Sequence, residues 1–150
     1  MIEELAVLAQ WHNVRFMLDG LLITLRISAL TIVFSFFLGT LLGVMRYSGH
    51  WLFARIAAVY IESFRASPLI LLILLFRFTV PMHPVNSGTL AMTLFTAAIV
   101  GEIVRGGLNS VDKGQWEAAR SQGFTWWQTM RHIVLPQALR KMIPPLTGQF

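Results

Sequence analysis

The sequence predicts an all-α membrane protein, and three observations predict it. Hydrophobic residues make up 55% of the 150 and charged residues only 13%, with a mean hydropathy of +0.63. A soluble domain carries about 25% charged residues, and lipid-facing positions, which need no charge, explain the deficit. Ile27 to Met45 then runs for 19 residues without a charge. As a helix this stretch is about 29 Å long, which matches a bilayer core. The third observation is that the cations gather on particular connections between apolar stretches, as they do in membrane proteins.

The chain is expected to form one transmembrane domain over residues 1–150, with spans at about 21–45, 67–82 and 87–104. In the first, Gly39 and Gly43 form a small-xxx-small pair, a common close-packing face between membrane helices. Trp51–Arg65 mixes Arg55, Glu62 and Arg65 with apolar residues and predicts an interfacial, partly amphipathic approach to the membrane. Ser67 followed by Pro68 predicts an N-cap with proline at the first helical position of the second span. Pro81, Pro84, Asn86, Ser87 and Gly88 predict a turn-rich loop. Beyond Arg105 the chain turns polar, and residues 105–136 predict a long loop with room for short helices. A further span is expected to begin over residues 137–150.

Charge asymmetry orients the chain. Arg46, Arg55 and Arg65 lie between spans one and two, and Arg105, Lys113, Arg120, Arg131, Arg140 and Lys141 follow span three. The opposite side receives only Arg15, Arg26 and Arg77. This places the first connection and the long loop in the cytoplasm and the N-terminus outside. The net charge of +5 is then a property of cytoplasmic loops, with no nucleic-acid partner implied. Met1–Gln10 carries Glu3 and Glu4 where a cleavable signal peptide would be basic. With no cysteine and with His12, His50, His83 and His132 widely separated, no metal site is predicted. No nucleophile–base pair or paired catalytic carboxylates are visible, so the chain is not expected to be an enzyme.

The long loop carries the most specific pattern. Glu117-Ala118-Ala119 is followed after three residues by Gly123, and after nine more by Ile133-Val134-Leu135-Pro136. Physically, Asp112 to Gly123 predicts a short helix, with Ala118 and Ala119 forming a small-residue face and Glu117 early, near the positive end of the dipole. Gly123 would stop this helix in the left-handed conformation, and Thr125 would cap a second short helix ending before Pro136. Glu102 and Arg105 are spaced for an i,i+3 ion pair, with a role in a translocation path as the sharper alternative. Trp126-Trp127 predicts an anchor at the bilayer surface.

The loop pattern resembles the EAA–Gly–Ile-x-Leu-Pro signature of binding-protein-dependent ABC importer permeases. Tyr60-Ile61-Glu62-Ser63-Phe64-Arg65-Ala66-Ser67-Pro68-Leu69 resembles the E-x-F-R-G-T-P-L segment of the polar amino acid subfamily, with Ala66 and Ser67 in place of Gly and Thr. Glu102-Ile103-Val104-Arg105-Gly106-Gly107 and Leu135-Pro136-Gln137-Ala138-Leu139-Arg140 look like the same subfamily. The resemblance implies a MetI-like multi-span bundle in the bacterial inner membrane, importing a polar amino acid. Its partners would be two ABC ATPase subunits, a second permease copy or paralogue, an extracytoplasmic solute-binding protein and membrane lipid. Glu117, Ala118, Ala119, Gly123, Ile133, Leu135 and Pro136 would couple to the ATPase. ATP and magnesium would bind that partner, in keeping with the absence of G-x-x-x-x-G-K-[ST] here. Such permeases continue beyond this point, so the chain is expected to be truncated or partial. An inactive permease fragment and an ion-coupled secondary transporter are the rival readings, the latter lacking discontinuous helices or a repeat across two halves.

Overall fold

The computed structural model describes residues 11–150, with side chains from residue 13. The reading of Met1–Gln10 lies outside the described residues. Every regular element is helical: α1 Trp11–Tyr47, α2 Trp51–Ala66, α3 Leu69–Thr79, α4 Pro84–Asn109, α5 Lys113–Ser121, α6 Trp126–Thr129, a π-helical segment Met130–Val134, and α7 Leu135–Gln149.

Helix α1 extends beyond the expected 21–45 at both ends. Its 37 residues make a rod of about 55 Å, well over a bilayer core. Charge marks where a helix leaves lipid, and nothing in Arg15, Asp19 or Arg26 breaks a helix. Most of its large apolar side chains are exposed, Phe16, Leu22 and Phe37 among them, which suits a surface facing lipid or another helix.

The next segment corrects one expectation. Ala57 and Ile61 of α2 are fully buried in a cluster with Leu42 of α1 and Ala97 of α4, while Trp51, Phe53 and Val59 stay exposed. Residues 67–82 are not one continuous helical span. Helix α3 holds 11 residues, about 16 Å, too short to cross. It joins α2 at a bend of 102°. The break is local chemistry: the residue before a proline is pushed out of the helical region, and Ser67 is extended at φ −90°, ψ 134°. Ser67 therefore does not cap α3. Its hydroxyl donates to the Ser63 carbonyl at 2.9 Å.

The turn-rich loop is shorter than expected. Helix α4 starts at Pro84, where the missing N–H costs nothing, and His83 Nδ1 accepts from the Val85 amide at 3.4 Å. The helix also runs on through Gly106 and Gly107 to Asn109, residues expected in the loop. Met142 of α7 packs where a Cβ of Gly107 would be, so that glycine is a contact point and not a stop.

The expected glycine face is present. A Cβ at Gly39 would lie 2.5 Å from Val100 Cβ and 2.7 Å from the Ala97 carbonyl oxygen. At Gly43 it would lie 2.6 Å from Val104 Cβ and 2.7 Å from the Gly101 carbonyl oxygen. Both numbers rise together along the two helices, so α1 and α4 run in the same direction. Tyr47 and Asn109 end on one side, and the bent α2–α3 pair with the turn at 80–83 returns the chain between them. A second core cluster lies below, where Val104, Leu108 and Val111 meet Met130, Val134, Ala138 and Met142.

Candidate functional site

Residues 110–136 fold as a helical hairpin continuous with α4 and α7. Asp112 opens α5 by accepting from the Gly114 amide at 2.6 Å. Glu117 is the fifth residue of that helix, so Asp112 and not Glu117 supplies the negative charge at its N-terminus. Gly123 closes α5 at φ 79°. The Phe124 amide donates back to the Ala119 carbonyl at 3.0 Å and the Gly123 amide to the Arg120 carbonyl at 2.9 Å. This pair of bonds is a Schellman closure, which needs a left-handed residue at that place.

Thr125 then starts α6 with a reciprocal capping box. Its hydroxyl accepts from the Gln128 amide at 3.3 Å, and Gln128 Oε1 accepts from the Thr125 amide at 2.8 Å. The second arm does not end before Pro136. It passes through the π segment into α7, with Pro136 as the second residue of α7.

The structure sorts the predicted coupling residues into two groups. Glu117 and Ala118 lie on the exposed face of α5. Ala119 does not share that face, because neighbouring residues are about 100° apart on a helix; it is 3% exposed. Ile133 is half-buried, Pro136 is exposed and Leu135 is 38% exposed. Between them Val134 is fully buried and holds the arm to the core. Trp116 and Trp126 face each other across the hairpin at 6.4 Å, while Trp127 stands outward and is 75% exposed. Gln137 Nε2 donates to Gln115 Oε1 at 3.2 Å, and Lys141 Nζ donates to the Ser110 carbonyl at 2.6 Å. These bonds tie α7 to both ends of the 110–115 turn.

About two turns before the hairpin, Glu102 sits at the centre of an ion cluster. It accepts from Arg105 Nε at 3.2 Å and pairs with Arg105 Nη2, the expected i,i+3 contact. It also accepts from Arg46 Nη1 at 2.9 Å, and Arg65 Nη1 lies 3.9 Å away. Arg46 Nη2 donates to Glu62 at 2.8 Å. The cluster thus joins α1, α2 and α4. Sequence spacing shows only Glu102–Arg105; Arg46, Glu62 and Arg65 are too distant along the chain for any periodicity to reveal. A neutral side chain at 102 leaves three guanidinium groups facing one carboxylate. Glu102→Gln is expected to cost about 2 kcal/mol and more than Arg105→Gln, whose loss leaves Arg46 in place. Thermal midpoints of the two purified variants check this order. Among the described residues no group of three or more His, Cys, Asp or Glu is placed to hold a metal.

Comparison with known proteins agrees with this geometry. A family model described as a binding-protein-dependent transport system inner membrane component matches residues 20–150. A probable glutamine ABC transporter permease of Bacillus subtilis (strain 168) is 41% identical over 144 residues, covering 93% of this chain and 66% of the relative. A glutamate/aspartate import permease of Escherichia coli O6:H1 is 40% identical over 147 residues, covering 89% of this chain and 66% of the relative. The solved structure of an amino acid ABC transporter with histidines superposes with a TM-score of 0.84 at 31% identity, over 95% of this chain and 69% of that one. The chain spans about two thirds of the length of the curated relatives it matches.

Proposed function

The chain belongs to the family of binding-protein-dependent transport system inner membrane components, and from that premise we propose that it is the permease subunit of an importer of polar amino acids. The relatives named as glutamine and glutamate/aspartate permeases support the substrate class. The observation that carries the coupling role is the hairpin. It presents Glu117 and Ala118 outward while a Schellman closure, a capping box and the buried Ala119 fix its shape. A docking surface of this kind suits a cytoplasmic ATPase, with Gly123, Ile133, Leu135 and Pro136 holding the geometry. Two ATPase subunits, a second permease copy or paralogue and an extracytoplasmic binding protein complete the assembly. ATP and magnesium belong to the ATPase. In this reading Glu102 and Arg105 position the ends of α1, α2 and α4 and do not touch solute.

The test is uptake of labelled L-glutamine and L-glutamate by proteoliposomes containing the permease, its ATPase and its binding protein. Uptake is expected only with ATP on the ATPase side. Uptake that runs on an ion gradient without ATP would show a secondary transporter instead. In this reading the protein lies in the bacterial inner membrane with its N-terminus outside, and that orientation has its own check. Reporter fusions at Ser48 and Gly114 are expected to behave as cytoplasmic and a fusion at Val85 as external. A cytoplasmic signal at Val85 would overturn the parallel α1–α4 topology in the membrane.

A further inference from the structure

The side of the molecule that bears the hairpin also carries a groove with a charge the ion cluster leaves unbalanced. It lies between the end of α1 and the first turns of α2, has a volume of about 670 Å³ and opens to the outside. Arg46, Trp51, Ala54, Arg55 and Ala58 line it, so two arginines border the space and no acidic side chain does. Ala54 and Ala58 are four apart on one face of α2, and their small side chains leave the recess between the longer ones. Arg46 is partly committed, since it donates to Glu102 at 2.9 Å and to Glu62 at 2.8 Å. Arg55 is exposed and has no hydrogen bond or ion pair with any described residue, so its five donors are open. Across cluster and groove, Arg46, Arg55, Arg65 and Arg105 stand against only Glu62 and Glu102, an excess of positive charge.

Positive-inside topology accounts for cations on this side in general, but not for two of them around one recess with a tryptophan at its rim. The rest of α2 indicates what fits there. At about 100° per residue, three surfaces follow one another around the helix. Ala57 and Ile61 face the core, the groove residues come next, and the exposed stripe Leu52, Ile56 and Val59 follows. A cationic recess beside an exposed apolar stripe is complementary to an amphiphile with an anionic head. Trp51, 75% exposed, is the kind of side chain that sits at headgroup level. The volume lies within the roughly 300–1,000 Å³ of small-molecule sites, enough for a headgroup while the tails stay outside on the stripe. The orientation proposed above puts the groove at the cytoplasmic leaflet, whose anionic lipids attract arginines near the surface.

We propose that this groove binds the headgroup of an anionic phospholipid, its phosphate between Arg46 and Arg55 and its acyl chains along Leu52, Ile56 and Val59. The bound phosphate supplies a further counter-ion to the arginine-rich cluster that joins α1, α2 and α4. This goes beyond the importer reading and does not depend on which solute is carried.

The test is titration of the delipidated permease, purified with its ATPase in detergent, with phosphatidylglycerol or phosphatidylcholine. Native mass spectrometry follows the first lipid bound per permease. Phosphatidylglycerol is expected to bind at least about fivefold more tightly. Arg55→Gln is expected to weaken phosphatidylglycerol binding by about fivefold, the effect of one arginine near a phosphate, and Arg55→Lys to stay within about twofold of the parent. Arg140→Gln, which removes an exposed cation of α7 outside the groove, is expected to leave binding unchanged. Equal binding of the two lipids, parent-like binding by Arg55→Gln, or an equal loss in Arg140→Gln would overturn the site. Displacement of the lipid by an equal concentration of inorganic phosphate would overturn it as well, by showing a site for a free anion. If Arg55→Gln keeps the lipid and loses the ATPase, the groove is a protein contact and the proposal fails. The assay involves neither membrane orientation nor uptake, so each of these failures leaves the importer reading standing.

Discussion

Replacing Gly39 with valine is expected to lower the thermal midpoint of the purified protein by roughly 3–10 °C, from about 1–3 kcal/mol of overpacking. Gly39 sits where the two longest helices approach most closely. The added Cβ would meet Val100 Cβ at 2.5 Å and, more seriously, the Ala97 carbonyl oxygen at 2.7 Å. A side chain can rotate away, but a backbone carbonyl inside α4 cannot, so the helices must separate. Separation then loosens Gly101 from Leu42 and Ile61, and the Arg46–Glu102 bond one turn further along. Gly20→Val is the control, because a Cβ there meets nothing within 4 Å. Equal midpoints for the two variants would show that α1 and α4 do not pack through this face.

Gly123→Val is expected to leave membrane insertion intact and to reduce recovery of the ATPase with the permease by roughly 5–30-fold. The figure follows from about 1–2 kcal/mol for holding an L side chain in the left-handed region. The space around Gly123 is open, so the cost is one of backbone conformation and not of collision. At φ 79° a β-branched residue resists the turn that both closing amides require, and relief of that strain re-aims the exposed Glu117–Ala118 face. Asparagine tolerates the left-handed region, so Gly123→Asn is expected to recover most of the binding. Co-purification of the ATPase with the three proteins, alongside uptake in the same membranes, distinguishes the cases. Wild-type capture and uptake by the valine variant would remove the coupling role from this hairpin.

The parts legible in the sequence are those written in local chemistry. Gly39 and Gly43 are four apart on one face, Thr125 stands as a cap before its short helix, and Gly123 stands where a helix must turn. The parts that were not legible depend on distant partners. The burial of Ala57 and Ile61 requires knowing that α4 lies opposite, and nothing in 51–65 announces it. Charged residues within α1 and glycines at the end of α4 suggested boundaries, yet both helices continue because packing outweighs weak propensity. Of the coupling residues, the exposed position of Glu117 and Ala118 could not be told from that of Ala119 before the orientation of α5 was known. The arginines around Glu102 appeared as topology signals, while Arg46 and Arg65 also serve as its counter-ions.

The bond from Lys141 to the Ser110 carbonyl has a mechanical consequence. It closes a ring in which the end of α4 and the middle of α7 are fastened together at the root of the hairpin, with Gly107 and Met142 in contact just above. A hairpin joined to its support at two separate points would splay when pushed, and the push would dissipate as bending. Fastened at its root, this one would act as a crank on a single shaft. If the hairpin has the proposed coupling role, force applied at Glu117 would become torque on α4 and α7 together, and α4 is the helix that carries Glu102.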